Sequence, residues 1–308
     1  MSGPGVLLMA YGAPERLDQV AAYYTDIRRG SPPPPALLEE LLGRYRAIGG
    51  GSPLSAIVER QRAALAAELA RRGRPAPVYC GMKHIAPYVA DVIRRMAADG
   101  VDHVVAIALA PQHSTFNEQT YGRAVEEAAA AAPTGPRATV VRSWHDQPRL
   151  IEAMAAATRE ALARCDDPAT AHVFFTAHSL PERGAGGTDP YAHEVAATGA
   201  LVAEKLGVER CDVAFQSAGR TADRWIGPDL VAEIRRVAAA GAREVVVCPV
   251  GFVADHLEVL YDVDVEARGV ARSLGMRLER ARAMNDDPVF VAALADVAQS
   301  ALAQEVSA

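Results

Sequence analysis

Eight apolar runs of strand length punctuate the chain: GVLLMAYG, PVYCGMK, HVVAIALAP, ATVVRSW, AHVFFTAHS, DVAFQSAG, EVVVCPVGF and MRLERARA. Most are continuous rather than alternating, which is how strands covered on both faces look. Segments of helical periodicity fill the intervals, among them SAIVERQRAALAAELARRG and PDLVAEIRRVAAAGAR, with Gly and Pro as stop signals. This alternation predicts the α/β class with parallel, doubly wound sheets. Four runs fall in each half, so two similar domains are expected, residues 1–146 and 147–308, parting near SWHDQPRLIEAM. The halves share no obvious repeat; the duplication rests on pattern alone.

Composition narrows the class of function. The chain has 308 residues, 50% hydrophobic and 23% charged, with a net charge of −6, which suits two domains of about 150 residues each. The acidic balance argues against nucleic acid as a partner. No apolar run reaches the length of a membrane span, and MSGPGVLLMAYG has no basic leader region, so a cytoplasmic protein without a signal peptide is expected. Cys80, Cys165, Cys211 and Cys248 are far apart with no CxxC pair, and three lie in apolar runs, which predicts buried free thiols.

Familiar catalytic cradles are missing. No GxGxxG follows a strand and no GxxxxGK[ST] occurs, so no nucleotide cofactor is expected. There is no GxSxG elbow. The HLE at 256–258 lacks the PCxxC of a zinc deaminase, and HEVAA at 193–197 lacks a zincin's second His. A two-lobed solute-binding protein shares the coarse architecture, but the missing secretion signal counts against it.

In open α/β sheets, ligands bind beyond the carboxyl ends of the strands. Tyr11, Lys83–His84, Gln112–His113, Trp144–His145, His178–Ser179, Gln216–Ser217 and Asp255–His256 stand at those ends. Five of the eight histidines are among them, a concentration that favours a site in a cleft between the two halves.

One segment adds to this expectation. GFVADHLEVLYDVDVEARG, residues 251–269, threads Asp255, Glu258, Asp262, Asp264 and Glu266 through apolar residues. At about 100° per residue, a helix gathers Asp255, Glu258, Asp262 and Glu266 into a sector of roughly 80°, with Asp264 opposite. A solvated amphipathic face is one reading. Acids without i,i+4 basic partners repel one another, and the other reading is a line of oxygen ligands that hands a cation along.

Several stretches together resemble the ferrochelatase family: VLLMAYGAPE, IRRG, RYRAIGGGSPLS, GMKHIAPYV, ALAPQHSTF, TAHSLPE, GTDPY, FQSAGRTADRWIGPDL and PVGFVADHLEVLYDVDVEA. They run in the family's order from residue 6 to 267, and LLMAYG with RYRAIGG is similar to the coproporphyrin branch. The resemblance implies the chelatase fold, two Rossmann-like domains clasping a porphyrin, and the insertion of Fe(II), as substrate, into coproporphyrin III to give iron coproporphyrin for haem biosynthesis. Alternatives are a protoporphyrin ferrochelatase, a cobalt-inserting chelatase and a porphyrin carrier without catalysis.

The same resemblance implies roles. His178 and Glu258 handle metal and protons, with Asp262 and Glu266 behind them as a relay on a widened, π-like turn. Tyr11, Arg28, Arg44, Tyr45, Ser52 and Tyr121 bind the substrate's propionates, with Arg29 an addition, and Tyr11 is an axial ligand of the product's iron. Arginine forks suit carboxylates. Trp225 is a candidate to pack on the ring. Gln112 stands where the family's His is expected and His113 one place later, so His113 is left out of the catalytic set, and His84 is kept only as a residue acting from behind the substrate contacts. Some members hold an iron–sulfur cluster through cysteines near the C-terminus; with no Cys after Cys248, none is expected here. The expected protein is a monomer, meeting an iron donor or haem-pathway enzymes transiently.

Overall fold

A computed structural model describes residues 3–132, 135–182, 189–219 and 221–303. All eight expected strands are present, in two sheets of four parallel strands. The chain separates into two compact units, one of residues 1–111, 116–144 and 285–308, the other of residues 112–115 and 145–284.

In the first unit β1 (Gly3–Ala10), β2 (Val78–Met82), β3 (Val101–Ala108) and β4 (Arg137–Val141) take the order β2-β1-β3-β4. The helices are α1 (Val20–Ile27), α2 (Pro35–Ala47), α3 (Leu54–Arg71) and α4 (Val89–Ala98). A short turn α5 (Thr115–Asn117) then runs through a π-helical turn at Glu118–Gly122 into α6 (Arg123–Ala131). The sequence explains α4 directly. Val89, Val92, Ile93, Met96 and Ala97 recur at i, i+3, i+4, i+7 and i+8, and all five are buried. They close over Leu7, Met9 and Val104 of the central strands.

The second unit repeats the plan with α7 (Pro148–Leu162), β5 (His172–His178), α8 (Tyr191–Leu206), β6 (Cys211–Gln216), α9 (Leu230–Ala239) and β7 (Glu244–Cys248). It closes with α10 (Leu257–Leu260), a π-helical turn at Asp262–Ala267, α11 (Arg268–Ser273) and β8 (Arg277–Arg280). The sheet order is β6-β5-β7-β8. Gln147 starts α7, its side chain accepting from the Arg149 and Leu150 amides, with Pro148 in the first turn. Asp229 caps α9 through the Ala232 amide at 2.9 Å. Phe174, Ile234, Val245, Val247 and Val263 fill the core, each contributing about 1.5–3 kcal/mol by burial.

Two expectations change. The last helix, α12 (Pro288–Ala303), lies in the first unit, so the division expected at 147–308 ends at residue 284. Arg72 at the end of α3 explains the return: its guanidinium donates to Asp296, Gln299 and the Ala292 carbonyl at 2.6, 3.1 and 3.1 Å. Gln61 on the same helix donates to the Asn285 carbonyl at 2.7 Å. The four cysteines are free, but only Cys165 and Cys248 are buried; Cys80 and Cys211 are half-buried, because β2 and β6 are sheet edges. Burial pushes the Cys248 thiol up to about 11.

Candidate functional site

In the second unit, β5 delivers His178 at its last residue. The ring is fixed from both sides. Its Nδ1 donates to the Ser179 carbonyl, and its Nε2 stands 3.3 Å from Glu258 Oε1. The other carboxylate oxygen, Oε2, lies 3.3 Å from His256 Nε2, and His256 Nδ1 is 3.0 Å from the Ala254 carbonyl. Glu258 is thus held between two imidazoles, each tethered to a backbone carbonyl. A close backbone approach makes this geometry accessible. The Gly251 amide donates to Thr176 at 3.0 Å, and a Cβ at that glycine would lie 2.5 Å from Ala177 Cβ. The loop leading to Glu258 therefore sits against β5 beside His178.

Electrostatics follow from that contact. Burial opposes the charged imidazole of His178, but Glu258, the Ser179 carbonyl and the charge of Asp262 outweigh it and raise its pKa to about 9. Burial pushes Glu258 up, and the attraction of His178 and His256 prevails, holding the carboxyl well below its usual range. The resting pair is an imidazolium and a carboxylate. The Tyr191 hydroxyl, raised by burial and then by the nearby acids, donates to the His178 carbonyl at 2.9 Å.

Beyond Glu258, the backbone widens. The Glu266 amide bonds the Tyr261 carbonyl five residues back at 2.9 Å, within the π-helical turn that opens at Asp262. Asp262 is buried and accepts from Ser217 Oγ. Glu266 is exposed. The expectation that the segment's acids lack basic partners is corrected at two positions, one in the stripe and one on its opposite side. Asp255 precedes the helix and pairs with Arg280 at 3.1 Å. Asp264 pairs with Arg268, its i+4 neighbour, and with Arg280, each at 2.9 Å. The remaining line is Glu258, Asp262 and Glu266. Among the described residues, no set of three or more His, Cys, Asp or Glu forms a cage for a metal ion.

In the first unit, Tyr11 follows β1. Gly12 turns the chain at φ +83, where a Cβ would come within 2.9 Å of Ile85. The His84 amide donates to the Tyr11 carbonyl at 3.0 Å, and the two rings meet edge to face at 4.4 Å. His84 Nδ1 donates to Asp26 Oδ2 at 2.7 Å, and its Nε2 is buried without a hydrogen-bond partner. Lys83 Nζ lies 5.2 Å from the Tyr11 ring centre and 4.7 Å from that of Phe116. Burial and the Arg29 charge lower Lys83 to about 8. Tyr121 is buried, its hydroxyl pushed up by burial and by Tyr11.

The other expected propionate residues differ in setting. Arg28 and Arg29 are exposed, and Arg29 takes a left-handed φ of +56. Arg44 is half-buried and 3.4 Å from Glu40. Tyr45 and Ser52 are buried; the Ser52 amide donates to Pro14 at 2.8 Å and its Oγ accepts from Leu54. In the second unit Trp225 packs its ring on Gly219 and donates to Thr221 at 3.2 Å. Gln112 is buried and donates to Thr198 and to the Val250 carbonyl, both at 3.1 Å, so it braces the second unit's loops. The His113 amide donates to Glu194 at 2.6 Å. Three participants, His256, Ser217 and Lys83, carried no assigned role in the sequence reading; standing at strand ends was their only signal.

No helix among the described residues is long and apolar enough to cross a membrane. In structure, the chain is similar to SirB from Bacillus subtilis with Fe3+, with a TM-score of 0.61 over 100% of this chain and 98% of that one at 12% identity. That likeness shows the fold. In sequence it is 40% identical to a ferrochelatase of Herpetosiphon aurantiacus over 93% of this chain and 95% of the relative. It is 41% identical to a coproporphyrin III ferrochelatase of Halalkalibacterium halodurans over 98% of each. The ferrochelatase family model matches residues 3–302. With the match spanning both sheets and every strand end described above, the chain belongs to the ferrochelatase family.

Proposed function

We propose that the protein inserts Fe(II) into coproporphyrin III, releasing two pyrrole protons and giving iron coproporphyrin. The observation that carries the reaction is the Glu258 carboxylate held between His178 and His256. Insertion requires groups that exchange a proton for a metal. The incoming dication repels the imidazolium proton, and once that proton leaves, His178 offers a borderline nitrogen ligand beside the oxygen ligand of Glu258. Glu258 neutralises the added charge and passes protons away from the ring. Asp262 and Glu266 supply further oxygen donors along the widened turn for iron shedding its water.

The finer assignment concerns the ring's substituents. Coproporphyrin carries four propionates, and the first unit supplies Arg28, Arg29 and Arg44 with the hydroxyls of Tyr45, Ser52 and Tyr121. Relatives named for coproporphyrin III, at 41% identity across nearly the whole chain, support this branch. Tyr11 serves the iron of the product as a phenolate ligand. The test is anaerobic turnover of coproporphyrin III and protoporphyrin IX with Fe(II), followed by the porphyrin absorption bands. A kcat/KM at least about tenfold higher for coproporphyrin III is expected. Equal turnover of the two would withdraw the branch, and binding without any metal insertion would make the protein a carrier.

A further inference from the structure

Two neighbouring residues at the end of β6 hold the same acidic segment. Gln216 Nε2 donates to the Glu258 carbonyl at 2.6 Å, while its Oε1 accepts from Thr176 Oγ1 at 2.9 Å. Ser217 Oγ donates to Asp262 Oδ2. Successive side chains of an extended strand point to opposite faces, so two adjacent residues do not ordinarily reach one helix. Ser217 does so because its backbone is left-handed, with φ +63. Among the described residues only Arg29 and Asn285 share a positive φ without being glycine. Such a conformation is disfavoured for a residue with a Cβ, and its persistence beside functional groups points to a use.

That use is visible in what the turned residue grips. Asp262 is 5% exposed and opens the π-helical turn, four residues beyond Glu258. Gln216 fixes the backbone at Glu258, and Ser217 fixes the carboxylate at Asp262, so consecutive residues set consecutive rungs of one acidic line. We propose that Ser217 is a positioning residue for the passage of iron: its left-handed backbone aims a hydroxyl that locks the Asp262 carboxylate in line with Glu258. The proposal rests on the reading of Asp262 as part of the iron relay.

The experiment measures insertion anaerobically against Fe(II) concentration in Ser217→Gly, Asp262→Asn and the double variant. Glycine adopts a positive φ freely, so Ser217→Gly removes the hydroxyl without straining the backbone. Its KM for iron should rise about fivefold, the loss of one hydrogen bond, with kcat and the KM for porphyrin within about twofold. Asp262→Asn should raise the KM for iron at least as much, and adding Ser217→Gly to it should change nothing further. An unchanged iron KM in Ser217→Gly, with a raised one in Asp262→Asn, would overturn the positioning role and leave the relay standing. An unchanged iron KM in Asp262→Asn would remove the relay and the proposal with it. A lowered melting temperature in Ser217→Gly without a change in iron KM would make the contact structural only.

Discussion

His178 and Glu258 meet as a charged pair, and this sets how the site titrates. The His178 pKa of about 9 lies above the ordinary histidine value of about 6.5. The contribution to stability from His178 is therefore complete below pH of about 6.5 and fades as pH rises through about 9, while that from Glu258, whose carboxyl is held low, is lost on acidification below its ordinary range. In an NMR titration of the metal-free protein, one imidazole should change near pH 9. Glu258→Gln should lower that titration, because burial then acts with its main opponent gone. A resonance that stays put in the variant would break the assignment. His178→Ala should abolish insertion with porphyrin affinity within about threefold, since a ligand or base is lost and no propionate contact is touched. Tyr11→Phe should keep measurable insertion but change the absorption spectrum of the bound ferric product; identical spectra would show that Tyr11 is no ligand.

At the scale of the element, the acidic segment is held in shape by one residue of β8. Arg280 pairs with Asp255 before α10 and with Asp264 inside the π-helical turn, at 3.1 and 2.9 Å. Removing a largely buried cation leaves its partners uncompensated. Arg280→Gln should cost about 3 kcal/mol in urea unfolding. Arg280→Lys should lose less, because it keeps the charge while giving up the fork. Equal losses would show that geometry rather than charge is what Arg280 supplies. The segment also shows how far sequence reading reaches. Glu258, Asp262 and Glu266 were legible from spacing and motif, because these properties are local. The pairing of Asp255 and Asp264 was not, because Arg280 belongs to a different strand and only the folded sheet brings it near. His256 and Ser217 were visible as strand-end residues, but their partners depend on a loop path and on a left-handed backbone that spacing does not encode. The eight strands were legible because continuous burial on both faces writes itself into composition, whereas the return of α12 to the first unit depends on packing against α3.

For the whole molecule, that returning helix is a structural requirement. Phe290 and Leu294 of α12 are wholly buried, and Arg72 ties α3 to α12 while also holding Glu68 at 2.7 Å. Arg72→Ala should lower the stability of the first unit by about 3 kcal/mol, measured by hydrogen exchange in α3 and α12. Deleting residues 285–308 should make the first unit readily cut by proteases while residues 145–284 resist. Equal susceptibility of the two units would show that α12 is dispensable to the first.

The placement of α12 also bears on how the chain is made. Protein synthesis usually lets the leading domain finish folding before the next one appears. Here the leading unit lacks α12 until residues 288–303 have been translated, after every strand of the second unit. At about 5–20 residues per second, the interval between β4 and the end of α12 is roughly 8 to 30 s. During that interval the nascent first sheet stands with an apolar flank uncovered, and the second unit, whose helices and strands form a continuous stretch, is made and completed at residue 284, ahead of α12. The later-made half is thus the first able to close, and the earlier-made half must be sheltered on the ribosome until its final helix arrives.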